Sequence, residues 1–194
     1  MAESGKSGIL LIISGPSGVG KTTICKRLVD RLGAFLSVSA TTRPRRENEV
    51  DGRDYRFLSV GEFERELERG ALLEYARVYG GHYYGTPAEP VFEALEAGRV
   101  VILEIEIDGT IQVMRRIPEA LSIYILAPTP GQQQERLVGR EKDSAEAIEE
   151  RLSKADGEIG YAHDCGAYRH FLVNETIEKT VDEIVRIVRE KQSA

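Results

Sequence analysis

Cysteine and histidine are scarce in this chain, with two of the first and three of the second among 194 residues. Cys25 and Cys165 show no metal-like spacing, and His82, His163 and His170 form none either. No metal site is therefore expected from them, and so few cysteines suit a reducing compartment, with a cytoplasmic location expected. Long apolar runs are missing. The run at residues 9–13 is far too short to span a bilayer and lacks a signal-peptide cleavage pattern. Positive charge is in deficit, 26 Lys and Arg against 32 Asp and Glu, for a net charge of −6. That balance argues against general affinity for nucleic acid or acidic membranes, so neither is an expected partner. Internal repeats and low-complexity linkers are also lacking. What remains is 41% hydrophobic content, enough to build one domain with a sizeable core.

What the chain does have begins at Gly15-Pro16-Ser17-Gly18-Val19-Gly20-Lys21-Thr22-Thr23, which fits the phosphate-loop pattern G-x-x-x-x-G-K-[ST]. The run from Gly8 to Ser14 before it is apolar and β-branched, so it reads as a buried strand. Ile24, Leu28 and Leu32 after it recur at helical spacing. In such a context successive backbone N–H groups and the positive helix end wrap polyphosphate oxygens. Lys21 would reach the β- and γ-phosphates, and the Thr22 hydroxyl would complete the shell of a Mg²⁺ ion. A nucleoside triphosphate is the expected ligand.

Further along, strands alternate with helices. Phe35–Ser39, Leu72–Val78, His82–Tyr84, Val100–Ile107, Leu121–Leu126 and His170–Val173 read as strands, with a turn at Gly80-Gly81. Ser59-Val-Gly-Glu62 has the form of a capping box before Phe63 and Leu67, as does Thr180-Val-Asp-Glu183 before Ile184, Val185 and Val188. Thr86-Pro-Ala-Glu89 reads as a third, opening a helix with Val91, Phe92 and Leu95 that ends near Gly98. Residues 131–157 are rich in Gln, Glu, Arg and Lys and read as exposed helices attached to the core. The expected class is α/β, a parallel sheet covered by helices on both faces. Cys25 reads as a packing residue of the first helix.

Arginines at 43, 45 and 46 concentrate positive charge in an acidic protein, and Arg is suited to bidentate capture of phosphate. On charge alone a solvated basic loop is the better explanation of them. The segment Ser39-Ala-Thr-Thr-Arg43-Pro-Arg-Arg46, with Tyr55 nine residues later, resembles the monophosphate-binding segment of guanylate kinases. So do the phosphate loop, the run Glu74-Tyr-Ala-Arg-Val and Tyr83-Tyr84-Gly-Thr86, in family order, from Ile9 to about Ile187. The resemblance implies a P-loop kinase fold in one domain, 1–194. Its core would comprise about 8–38, 91–130 and 158–191, its monophosphate-binding part about 39–90 and its lid about 131–157. It implies Mg²⁺-dependent transfer of the ATP γ-phosphoryl group to GMP, and to dGMP, giving ADP and GDP.

Residue by residue, the same resemblance gives Arg43, Arg46, Tyr55 and Tyr84 the phosphate of GMP, and Ser39, Glu74 and Thr86 its guanine ring. A carboxylate such as Glu74 can accept guanine's N1–H and N2–H₂ donors together, and would repel adenine's N1 acceptor. Glu104, Glu106 and Asp108 stand at alternate positions and would share one face of the expected strand. Three like charges in a row are unfavourable unless cations or donors meet them. Glu104 resembles the family's acid facing the Mg²⁺ region, through water. Glu106 stands where the family usually has Asp near the guanine amino group, and Asp108 where it usually has Gln. Those departures, with a one-residue expansion at Gly80-Gly81-His82, leave open a related kinase with another acceptor. Arg136, Arg140 and Arg151 fall at the spacing of the family's lid arginines, Lys21, Arg43, Arg140 and Arg151 being the catalytic set. Asn174 resembles a position near the adenine. A binding module without turnover is the other alternative, and it would be expected to lack the intact phosphate loop or the lid arginines.

Overall fold

In a computed structural model, residues 8–77, 81–129, 131 and 157–193 are described. The centre is strand β1 (Ile9–Ser14), whose six residues are all buried. Its neighbours are β7 (Val100–Glu104) and β8 (Leu121–Leu126), with β2 (Phe35–Leu36) and β9 (His170–Val173) at the edges, in the order β2-β7-β1-β8-β9. Every pairing in this sheet is parallel. Alternation along β1 explains why both faces need cover. Ile9, Leu11 and Ile13 pack with Ile24, Cys25 and Leu28 of α1 (Lys21–Leu32) and with Val181, Ile184 and Val188 of the last helix. Leu10 and Ile12 pack on the other side with Val91 of α3 (Ala88–Glu96) and Val113 of α4 (Ile107–Arg116). Each such aliphatic side chain taken fully from water stabilises the fold by about 1.5–3 kcal/mol before chain entropy is counted.

A second, smaller sheet has the order β4-β3-β6-β5, formed by β3 (Ala40–Thr41), β4 (Arg56–Phe57), β5 (Leu72–Arg77) and β6 (Tyr83–Pro87). β3 and β4 pair parallel, and the other pairings are antiparallel. Helix α2 (Val60–Glu68) covers it through Phe63, fully buried against Ala40 and Leu72. The Ser59–Glu62 capping box that starts α2 is present as expected. Helical residues 157–164 (α5) precede β9, and α6 (Ile177–Ser193) closes the described chain.

Several boundaries differ from those expected. The strand expected over Val100–Ile107 ends at Glu104, and Ile107 opens α4 with Glu106 at its N-cap. Ile105 and Ile107 are both buried, so the apolar alternation runs through the junction and conceals it. Glu104, Glu106 and Asp108 therefore do not share a strand face. Asp108 lies in the first turn of α4 and Glu106 holds the N-cap position without a side-chain capping bond, where the helix N-terminus favours negative charge. Thr86 is no cap. It lies in β6, the N-cap of α3 is Pro87, and the Thr86 hydroxyl is committed to Glu74. Helix α6 starts three residues before the expected box, and Thr180 is buried within it, its one hydroxyl proton shared between the Thr176 carbonyl and Asn174 Oδ1. Thr176 takes the capping place, its hydroxyl accepting from the Lys179 N–H at 3.4 Å. The strand expected at Phe35–Ser39 covers only Phe35–Leu36, because the chain leaves at Ser37 to enter the second sheet. His82–Tyr84 becomes Tyr83–Pro87, where the partner β5 continues the ladder as far as Leu72.

Candidate active site

The phosphate loop leaves the C-terminal end of β1, the end of a parallel sheet at which ligands of open α/β folds bind. Gly15 has φ 144°, and a Cβ on it would stand 2.3 Å from the Ile125 carbonyl oxygen, so only glycine fits this exit. Gly18 and Gly20 follow with φ of 84° and 96°, and α1 begins at Lys21. Pro16 and Val19 are buried under the loop, while Ser17 and Thr23 are exposed. The Lys21 ammonium lies within the curl, donating to the Gly15 carbonyl and, at 3.2 Å, to that of Pro16.

Asn174, expected near the adenine, is fully buried at the end of β9. Its amide donates to the Val19 carbonyl at 2.7 Å and its oxygen accepts from Thr180 at 3.0 Å, so it ties the loop to α6. Thr22 donates its hydroxyl to Glu104 Oε1 at 2.7 Å. The parallel register that sets Ile13 beside Glu104 brings this acid to the loop. A hydroxyl and a carboxylate converging beside the loop are hard oxygen donors, the set that suits Mg²⁺.

The second sheet carries the other cluster. The Arg43 guanidinium donates through Nη2 and Nη1 to the two carboxylate oxygens of Glu49 at 2.7 and 3.1 Å, and through Nε to the Tyr84 hydroxyl at 3.0 Å. It also lies 5.4 Å from the Tyr55 ring centroid, and the Tyr55 and Tyr84 rings meet edge to face. The Arg43 hydrogen bond holds the Glu49 carboxyl below its usual range, with a lesser contribution from the Arg46 backbone N–H. Burial raises the Tyr55 phenol, so it stays a neutral donor. Because Arg43 Nε donates to the Tyr84 oxygen, the Tyr84 proton is left to point elsewhere. Arg46 is exposed and joins through its backbone, while Ser39 is half-buried and its backbone carbonyl accepts from the Arg56 N–H.

One strand spacing away is Glu74, paired across the sheet with Thr86, which donates to Glu74 Oε1 at 2.6 Å. Glu74 is 5% exposed. Burial pushes its carboxyl from the usual 4.5 up to about 7, with the negative charge of Glu106 adding a little and the Thr86 hydrogen bonds opposing. Tyr84 and Thr86 stand two residues apart on β6 and so share a face, which aligns the arginine–tyrosine cluster with the buried carboxylate.

A sequence model described as guanylate kinase matches residues 7–191. The chain belongs to the guanylate kinase family. A guanylate kinase of Gloeobacter violaceus is 46% identical over 183 residues, covering 94% of this chain and 87% of that protein. One from Clostridium acetobutylicum is 43% identical over 183 residues, 94% of this chain and 86% of that protein. The crystal structure of guanylate kinase from Anaplasma phagocytophilum superposes with a TM-score of 0.79 at 32% identity, over 97% of this chain and 88% of that one. The P-loop kinase fold expected from the sequence is thus the fold observed.

The structure joins Thr22 to Glu104 next to Lys21 in one cluster and gathers Arg43, Tyr55 and Tyr84 in another, with Glu74 and Thr86 beside the second. Arg136, Arg140 and Arg151 lie outside the described residues, as does the expected lid except for residues 131 and 157. Glu49 is the residue that sequence reasoning missed. It lies among charged neighbours, and no spacing marks it as the partner of Arg43. Glu49→Gln is expected to raise KM for GMP by about tenfold, because Arg43 loses the fork that orients it, while KM for ATP stays within about twofold. Steady-state kinetics with each substrate varied in turn would check this, and an unchanged KM for GMP would make the pair dispensable.

Proposed function

We propose that this chain transfers the γ-phosphoryl group of ATP to GMP, with the phosphate loop holding the donor and the second sheet holding the acceptor. The observation that carries the reading is the alignment on β6 of a phosphate-type cluster, Arg43–Tyr84, with a buried guanine-type acceptor, Glu74–Thr86. In this reading the loop from Gly15 to Thr23, through its backbone N–H groups (Pro16 has none), and the Lys21 ammonium bind the ATP phosphates, and Asn174 keeps the loop in shape. Thr22, and Glu104 through water, would hold Mg²⁺, which when bound neutralises phosphate charge. Arg43, Arg46, Tyr55 and Tyr84 hold the GMP phosphate, and Ser39, Glu74, Thr86 and Glu106 line the guanine. A phosphate oxygen of GMP attacks the γ-phosphorus as its bond to the bridging oxygen of ADP breaks, and no side chain has to act as base because the acceptor is already an oxyanion.

Residues 39–90 form the monophosphate-binding part in this reading, supported by the second sheet between Ala40 and Pro87. Two free cysteines support a reducing, cytoplasmic setting. Among the described residues, no helix is long and apolar enough to cross a membrane. The test is ADP formation from ATP and Mg²⁺ with GMP, dGMP, AMP, CMP and UMP offered separately. Turnover confined to GMP and dGMP is expected. Preference for another acceptor would assign the chain to a related kinase, and binding of GMP without turnover would make it a binding module.

A further inference from the structure

We propose that Gly109 is a positioning residue for guanine recognition, its bare Cα being what lets the Glu74 carboxylate stand against the first turn of α4. The proposal rests on the reading of Glu74 as the guanine acceptor. A Cβ on Gly109 would lie 2.4 Å from Glu74 Oε2, 3.0 Å from Cδ and 3.4 Å from Cγ. Gly109 is buried and helical, and its φ is not positive, so its backbone does not call for glycine. A glycine inside a helix costs about 1 kcal/mol relative to alanine, so its presence there calls for a local reason. The carboxylate is that reason. Thr86 holds Oε1 at 2.6 Å from β6, and Gly109 opens the space that Oε2 fills. The first turn of a helix also favours a negative group beside it.

The helix cannot simply back away from an added methyl group. Gln112, less than one turn on, donates to the Tyr75 carbonyl at 2.7 Å and accepts from the Tyr75 N–H at 3.2 Å. Arg116 donates to the Leu72 carbonyl at 2.9 Å. These bonds clamp α4 to β5 on both sides of Glu74, while Ile107 and Val113 anchor the helix in the core. The displacement therefore falls on the carboxylate, the far end of a flexible side chain, and the fold is spared. Gly85 makes the contrast. A Cβ there would meet the Glu74 carbonyl oxygen at 2.9 Å and the Phe63 ring at 3.1 Å, so substitution at Gly85 disturbs backbone and core instead.

The experiment compares wild type, Gly109→Ala, Glu74→Gln and Glu74→Asp with GMP and with IMP, which lacks the 2-amino group. Gly109→Ala is expected to raise KM for GMP by about 10- to 100-fold and to lower the GMP-to-IMP ratio of kcat/KM. KM for ATP should stay within about twofold, and the melting temperature should hold or rise, because alanine is the better helix former. Adding Glu74→Asp shortens the carboxylate and makes room for the methyl group. The double variant should then bind GMP no worse than Glu74→Asp alone, a non-additive result. If Gly109→Ala matches wild type while Glu74→Gln loses selectivity, the positioning role is refuted and the Glu74 reading stands. If Glu74→Gln also leaves selectivity intact, the Glu74 reading itself falls and this role with it. A collapsed melting temperature with ATP affinity lost alongside, or fully additive effects in the double variant, would make Gly109 a fold residue only.

Discussion

Lys21→Ala is expected to lower kcat by about a thousandfold while leaving the protein folded. The two effects separate because the ammonium has different partners in stability and in catalysis. Lys21 is the first residue of α1 and donates to the carbonyls of Gly15 and Pro16. A cation at a helix N-terminus opposes the macrodipole at a cost of about 0.3–1 kcal/mol, which alanine removes. Losing a donor to each carbonyl costs about 1 kcal/mol per bond, so the net loss is about 1–2 kcal/mol. For a chain of this size that lowers the melting temperature by only about 2–8 °C. In the proposed transfer, by contrast, the ammonium would meet the negative charge that develops on the β- and γ-phosphates. Turnover at saturating ATP and GMP, read beside a thermal melt, separates the cases. Near-normal turnover would remove Lys21 from the mechanism, and loss of turnover with loss of the melt would make it structural.

Much of this fold is legible in the chain because its signals are local. The glycines and Lys21 announce the loop, the unbroken apolar run of β1 announces a strand buried on both faces, and Ser59 with Glu62 announces α2. Two features hide the rest: long-range partners, and apolar alternation that runs on past the end of a strand. Thr86 has the sequence of a helix cap, yet a hydrogen bond to Glu74, twelve residues away, keeps it in a strand. Glu104, Glu106 and Asp108 look like one strand face because Ile105 and Ile107 continue the alternation, yet the chain turns into α4 between them. Glu49 and Gly109 carry no signal at all. The first matters through Arg43, six residues before it, and the second through a carboxylate 35 positions earlier in the chain. Local patterns place the interiors of elements, while their ends and the cross-sheet neighbours of a residue depend on the assembled fold.

Glu74→Gln is expected to cost about a hundredfold or more in the preference for GMP over AMP and to change the pH dependence of both stability and binding. The glutamine amide keeps one acceptor oxygen but turns an N–H₂ toward a ring edge that itself presents donors, leaving polar groups unpaired in a closed site. The pH effect has a definite sign. Burial raises the folded carboxyl to about 7 from its ordinary 4.5, so the folded protein binds the proton more tightly than the unfolded chain does. The stability this contributes is fully present below pH 4.5 and is lost as pH rises through about 7, roughly 3 kcal/mol across the window. Denaturant unfolding between pH 4.5 and 8 should show that decline in wild type, and a flatter profile in Glu74→Gln. Guanine binding runs the other way, because only the ionised carboxylate accepts both donors. KM for GMP should therefore rise as pH falls below 7, by up to about tenfold per unit. The variant should keep only the weaker dependence of the GMP phosphate, which titrates near pH 6. An unchanged preference for GMP, or pH profiles that coincide in the two proteins, would take Glu74 out of guanine recognition and leave the base to be read by other groups.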